Sequence, residues 1–329
     1  MEVKIDKRDR KILTMLAEKP RATYTELAEF IGLSKNATKT RLDRLFTIGA
    51  IEKILPTINY TKLGYYSYDV FLKCAISGDK KKKFERYLRE HDNIIWACSV
   101  FGSYTYYFEI ICKNAFEFDN MMSPIVTLLG DSFREYKTVL CTERIKIRPL
   151  VPELAEDIPM KYKVKSPKLD FTPVQLDDLD KKILYELSKD GRMSYFDIGK
   201  KLGVTLQTIR NRVKKMLKNT TIEKFTPLYG YNKVLGYTNY FVFLKVKYYD
   251  KKVEQKLRDH LKENKHTKLA LRIANSNEIL LFVSTTHPKY LEALVMELRE
   301  NFPEMVRDVE FMHMLYEIKV NFFPKGLFN

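Results

Sequence analysis

The chain is poor in the residues that carry redox and metal chemistry. Its four cysteines, Cys74, Cys98, Cys112 and Cys141, all lie in the first half and show no C-x-x-C spacing, so neither a zinc ribbon nor a dithiol redox pair has a framework. They read as buried free thiols. Five scattered histidines include no H-E-x-x-H pair, and no metal or cofactor is expected. No apolar run approaches the roughly 20 residues that span a bilayer, and the N-terminal MEVKIDKRDRK lacks the apolar centre of a secretory signal. A cytoplasmic protein without a membrane partner is expected.

Positive charge, in contrast, is in excess. Lys and Arg number 58 against 42 Asp and Glu, giving a formal net charge of +16 and a pI near 9.4. That balance favours an anionic partner, nucleic acid first and an anionic membrane second. The 329 residues, 45% hydrophobic and 30% charged, are enough for two or more globular domains.

The charge is concentrated in LSKNATKTRLDRL, Leu33 to Leu45. As a helix this stretch turns Ala37, Leu42, Leu45 and Phe46 inward and Lys35, Lys39, Arg41 and Arg44 outward, with Ser34 as N-cap. A shorter amphipathic segment, Thr25 to Ile31, precedes it and ends at Gly32. Two short helices joined through a glycine fit a helix-turn-helix whose second helix enters the major groove. A solvated basic face is the plainer reading of one such helix.

Recurrence decides between them. IDKRDRKIL from Ile5 reappears as LDDLDKKIL from Leu176, an offset of 171 residues. The same offset carries Gly32 to Gly203, Arg41 to Arg212, Ile51-Glu52-Lys53 to Ile222-Glu223-Lys224 and Pro56 to Pro227. Matches held at one offset over some sixty positions indicate duplicated domains. In each copy a first helix (Asp6 to Glu18 in the first) precedes the helix-turn-helix, and a short hairpin-like piece, Ile51 to Tyr60, follows. That order is a winged helix-turn-helix. The second copy ends its basic helix with Asn219-Thr220-Thr221 where the first has Gly49, and Asn219 is the residue expected to turn left-handed there.

A β-rich texture follows. Tyr66 to Ile76, Ile94 to Phe101, Tyr106 to Cys112 and Val139 to Arg148 read as strands, Lys80 to His91 and Phe116 to Leu129 as helices. This βαββαβ order is ferredoxin-like, and it recurs after the second winged helix. Tyr68, Val70, Phe71, Val100, Phe108 and Ile110 mark a sheet face expected to meet a second sheet. The fold class is therefore α+β: a winged helix-turn-helix at 1–60, a ferredoxin-like domain at 61–150, a second winged helix-turn-helix at 176–231 and a second ferredoxin-like domain at 232–329. Between them, 151–175 is a Pro-containing linker whose roughly 25 residues would span about 25 to 30 Å.

This order, with the phrases LDRLFTIGAIEK and ACSVFGSYTYYFEIICK, resembles the Lrp/AsnC (feast/famine) transcriptional regulators of bacteria and archaea, one family subunit per half. The resemblance implies ferredoxin-like domains paired sheet to sheet, here as an intramolecular pseudo-dimer, a homodimer or both. It also implies an amino-acid-type effector near that interface. The family's effector turn falls on Gly102, Ser103, Tyr104 and Thr105, with Thr105 in place of an acidic residue, and on Ala274-Asn275-Ser276-Asn277 in the second half. High Lys and Tyr with few cysteines fit a thermophilic archaeon.

A sequence-specific regulator of double-stranded DNA is expected, with two non-identical recognition helices and hence an asymmetric target. The DNA-contacting residues are Ser34, Lys35, Asn36, Thr38, Lys39, Arg41 and Arg44 in the first head. Thr205, Gln207, Thr208, Arg210, Arg212, Lys214 and Lys215 are their counterparts in the second. Asn36 and Gln207 have side chains suited to adenine, and the cations to guanine or phosphate. A non-enzymatic role is the expectation. Siroheme decarboxylases are similar in fold, and an enzyme of that kind would draw on Arg272, His313 and Arg144 or Arg148. A third reading makes the second head a protein-contact module.

Overall fold

The computed structural model describes residues 5–155, 158, 171–232, 234–247, 251–274 and 277–327. In chain order the first half holds α1 (Lys7–Glu18), α2 (Tyr24–Ile31), α3 (Lys35–Thr47), β1 (Ile51–Ile58), β2 (Tyr66–Cys74), α4 (Gly78–Glu90), β3 (Ile94–Phe101), β4 (Tyr106–Cys112), α5 (Ala115–Leu129) and β5 (Phe133–Ile147). The second half repeats this as α6 (Asp178–Lys189), α7 (Tyr195–Leu202), α8 (Leu206–Lys218), β6 (Ile222–Tyr229), β7 (Thr238–Val246), α9 (Lys251–Glu263), β8 (Thr267–Ile273), β9 (Glu278–Thr285), α10 (Pro288–Asn301) and β10 (Val306–Val320).

The heads start where their polar residues cap. Asp6 accepts from the Asp9 N–H while Asp9 accepts from that of Asp6, and Thr23 and Glu26 make the same reciprocal box at α2. Gly32, at φ +69°, ends α2 in the left-handed conformation that glycine adopts without penalty.

The expected wing hairpin does not form. After β1 the chain enters a short 3-10 turn at Tyr60–Leu63, so no second wing strand is available locally. Instead β1 pairs antiparallel with β6 of the other half, from Ile51 opposite Tyr229 to Ile58 opposite Ile222. Leu55 faces Thr226, its own equivalent at the 171-residue offset, so a pseudo-twofold axis passes through the ribbon. Each strand thereby covers one edge of the other.

The ferredoxin-like sheets also close on one another. Their orders, β3-β4-β2-β5 and β8-β9-β7-β10, join edge to edge into one eight-stranded barrel. The outer strands make this possible, being 15 residues each where the sequence predicts ten, Val139 to Arg148, for the first of them. One stretch of β5 pairs with β2 and the next, from Cys141 to Ile147, with β8. In the same way β10 is shared between β7 and β3. Both sheets thus spend their edges within one chain.

The residues expected on one sheet face divide between two, since neighbours on a strand point to opposite faces. Phe71 and Val100 enter the barrel core beside Cys98, Tyr107, Phe241, Phe243 and Met312. Val70, Phe108 and Ile110, with Tyr68 at the margin, pack under α4 and α5. The linker departs from free coil at its start, where Val151 and Ala155 pack into the core of the heads and Ile158 is also buried. Its residues 156–157 and 159–170 lie outside the described residues.

Candidate nucleic-acid interface

The heads are one body because arginines cross the pseudo-twofold axis. Arg21, just after α1, donates to the carbonyls of Gly191 and Met193, the latter at 3.0 Å. Its equivalent Arg192 donates to Pro20 O and Ala22 O, both at 2.9 Å. The Arg21 guanidinium also lies over Tyr195 at 4.6 Å and Phe225 at 5.0 Å. Tyr229 Oη adds a 2.7 Å hydrogen bond to Leu13 O in the opposite head. A single apolar cluster runs from Ile12 through Ile54 to Ile183, Val213 and Phe225. These ties fix where α3 and α8 sit relative to each other.

On α3 the exposed side chains are Lys35, Asn36, Lys39, Thr40, Asp43, Arg44 and Thr47. Ser34 caps the helix, accepting from Ala37 N at 3.2 Å. Ala37, expected inward, is exposed; Thr38 takes its place, fully buried, its hydroxyl donating to Ser34 O at 2.9 Å. Thr38 is therefore a packing residue and no part of an outward face. Arg41 is likewise turned back. It pairs with Asp6 at 2.6 Å and with the buried Asp9 at 2.8 Å, while the more exposed Arg44 reaches Asp9 at 3.1 Å. The recurrence of arginine at 41 and 212 reflects this clamp between the recognition helix and the first helix.

The second head repeats the clamp, with Arg212 bonded to Asp177 and 3.3 Å from Asp180. The Asp180 N–H and then Arg212 hold the Asp177 carboxyl below its ordinary range. Thr205 caps α8, accepting from Thr208 N at 3.1 Å, and half-buried Thr208 shares a 2.9 Å hydroxyl bond with it. What remains outward is Gln207, Arg210, Asn211, Lys214, Lys215 and Lys218. Gln207 Nε2 donates to Asn211 Oδ1 at 2.9 Å, so these amides form one surface unit. Asn211 and Lys218 escaped the sequence reading, although a simple 3.6-residue projection places both on the exposed stripe. The left-handed residue ending α8 is Thr220, at φ +59°, with Asn219 at φ −86°. Thr220 occupies the site of Gly49, and a β-branched side chain there is strained.

At the far end of the barrel, Gly102 has φ +144°, and a Cβ there would lie 3.0 Å from Phe311 O. Thr105 accepts from Cys74 N at 3.0 Å and donates to Leu72 O at 3.1 Å, so its hydroxyl braces the turn against β2. Tyr104 packs toward Phe71, and Ser103 is exposed. Of the matching turn, Asn275 and Ser276 lie outside the described residues.

The four decarboxylase-type residues do not converge. Arg144 is bonded to Glu223 in the ribbon at 2.6 Å, Arg272 is 3.7 Å from Glu254 of α9, and His313 lies tilted against Tyr240 with ring centres 5.3 Å apart. Arg148 lines a cavity described below. Cys74, Cys98 and Cys112 are buried free thiols and Cys141 is partly so; burial pushes Cys112 and Cys141 up to about 12. Among the described residues no His/Cys/Asp/Glu group could hold a metal ion, and no helix is long and apolar enough to cross a membrane.

Comparison with known proteins matches both heads. The AsnC-type helix-turn-helix domain covers residues 176–217, and the winged helix-turn-helix DNA-binding domain covers residues 5–51. An HTH-type transcriptional regulator of Pyrococcus furiosus is 38% identical over 127 residues, which are 38% of this chain and 76% of the relative. The regulatory protein AsnC of Haemophilus influenzae is 24% identical over 151 residues, 45% of this chain and 98% of that protein. The siroheme decarboxylase NirDL superposes with a TM-score of 0.62 over 98% of this chain and 97% of its own, at 11% identity, a likeness of fold alone. The chain belongs to the Lrp/AsnC family of helix-turn-helix transcriptional regulators.

Proposed function

We propose that this protein regulates transcription by gripping double-stranded DNA with both heads of one chain. The observation that carries the reading is the reciprocal Arg21 and Arg192 bonding, which locks two outward basic helices into one pseudo-symmetric unit. Lys35, Asn36, Lys39 and Arg44 form the first reading face; Gln207, Arg210, Asn211, Lys214, Lys215 and Lys218 form the second. Amides near the helix starts suit adenine, and the later cations suit phosphate. Because α8 presents no exposed carboxylate where α3 presents Asp43, the second face is the more strongly attractive. Half-sites centred about 34 Å apart, or a multiple of that, and unlike in sequence follow from two such helices. Selection of bound sequences from a random library, followed by footprinting, tests this. A bipartite asymmetric site supports it, and a single short site would restrict recognition to one head.

The turn at Gly102 to Thr105 is a candidate effector site in this scheme, with exposed Ser103 as its polar side chain, the Thr105 hydroxyl being engaged in bracing the turn. The fold shared over its whole length with NirDL favours a second reading, a tetrapyrrole-processing enzyme. The dispersal of Arg144, Arg272 and His313 speaks against it. A tetrapyrrole absorption band on the purified protein together with no DNA binding would reverse the preference.

A further inference from the structure

The pseudo-twofold axis relates two places where the wing ribbon lies over the barrel mouth, and they differ. On one side Arg144 of β5 donates to both carboxylate oxygens of Glu223 in β6, at 2.6 and 2.8 Å, and closes the gap. On the other side the strand registers put Glu317 at the position equivalent to Arg144, and Glu52 at that of Glu223. Two carboxylates cannot close a gap as an ion pair does, and a cavity of about 250 Å³ remains there. Phe282 stands where the sealed side has Glu109, and Lys268 where it has Ile95.

The cavity walls are largely aromatic, with Trp96, Tyr231, Phe282 and Tyr316 around it and Arg148, Lys224 and Lys268 as cations. The Lys268 ammonium sits 3.8 Å from the Tyr231 ring centre and 4.9 Å from that of Phe282. Among the described residues it has neither a hydrogen-bond acceptor nor an ion-pair partner. It is withdrawn from bulk water, while the residue keeps partial exposure through the cavity. Burial brings its pKa down to about 7, the Glu317 charge acting in the opposite sense. A desolvated ammonium facing an aromatic cavity is stabilised by an anion that brings its own apolar body.

We propose that this cavity binds a small carboxylate with an aromatic body, the carboxylate on Lys268 with Arg148 at the rim and the ring among Trp96, Tyr231 and Phe282. The site is distinct from the Gly102 turn, which lies at the opposite end of β3. Its occupancy does not depend on whether the heads bind DNA.

Trp96 is the single tryptophan of the chain, and its Nε1 donates to Glu317 at 3.2 Å, so its fluorescence reports on the cavity directly. The probes are phenylacetate and phenylpyruvate, with phenethylamine as the cationic counterpart of the same ring. Saturable change with the carboxylates is expected. Lys268→Met should weaken it by about tenfold or more, as loss of a charge-assisted bond does, and Lys268→Arg should retain it. Glu317→Arg, which rebuilds with Glu52 the closure seen on the sealed side, should abolish binding with the Lys268 side chain still present; because Trp96 loses its Glu317 partner in that variant, binding there is read by isothermal calorimetry. Thermal unfolding of each variant separates lost binding from lost fold. No saturable response up to about 10 mM, equal binding of the amine, or unchanged affinity in a folded Lys268→Met protein would overturn the proposal.

Discussion

Replacing Arg21 by Met tests whether the two heads are one unit. The substitution keeps the apolar stem and removes the guanidinium that bonds Gly191 O and Met193 O and stacks on Tyr195 and Phe225. Hydrogen bonds from a charged donor contribute about 1.5–3 kcal/mol each, and partly exposed cation–π contacts about 0.5–1. The carbonyls are only partly buried, so water recovers some of this and a loss of about 3 kcal/mol is expected. Urea unfolding measures it through the midpoint at constant slope. Arg192→Met removes the symmetry-related pair of bonds and should cost a similar amount. The double variant should lose less than the sum, because either break alone loosens the same interface. If each single variant stays within about 0.5 kcal/mol of the parent, as ordinary surface changes do, the arginines do not hold the heads together.

Other consequences are equally direct. Thr220→Gly relieves a left-handed β-branched residue, worth about 1–2 kcal/mol, against about 0.5–1 for the added freedom of the unfolded glycine, so a net gain of about 0.5–1 kcal/mol is expected in the same urea assay. Arg41→Ala should destabilise the first head by about 2 kcal/mol by uncovering buried Asp9, whereas Lys39→Ala should leave stability unchanged and weaken DNA binding. The reverse pattern in paired melting and gel-shift measurements would exchange their roles. In the barrel, burial and then the Glu109 charge raise the Asp69 carboxyl to about 8 from 3.8, while Tyr107 Oη donates to it at 2.5 Å. A raised acid favours the protonated fold, so its contribution is full below about pH 4 and is lost as pH rises toward 8. Asp69→Asn should flatten that decline in stability; an identical pH profile would assign the decline elsewhere.

Local and repeated features were legible in the sequence. The cap at Ser34, the glycine ending α2 and the order of both ferredoxin-like units follow from spacing alone, since each depends on a few neighbouring residues; the caps at Asp6 and Thr205 emerge only with the structure. The recurrence at a fixed offset revealed the duplication, though not the axis through Leu55 and Thr226 or what crosses it. Long-range pairing was hidden: nothing near Ile51 to Ile58 shows that its ladder partner lies in the other half, nor that β5 and β10 each serve two sheets. Side-chain direction was misjudged for the same reason. Arg41 looks outward by charge, and only the approach of Asp6 and Asp9 from α1 turns it back. The difference between the two barrel-mouth sites was present in the residues themselves, as Glu317 against Arg144, but required the strand registers to align them.

The central claim, that both heads of one chain hold DNA, is tested most directly by the salt dependence of affinity for a selected site. Contacts to 6 to 10 phosphates predict a fall of roughly 10³ to 10⁵ between 50 and 200 mM salt. Neutralising Arg210, Lys214 and Lys215 to Gln should reduce the log–log slope by about one for each phosphate contact removed, and Lys35 with Lys39 should act likewise in the other head. A slope that responds to both sets of substitutions is the predicted result. A slope unmoved by the second-head substitutions would contradict two-headed binding.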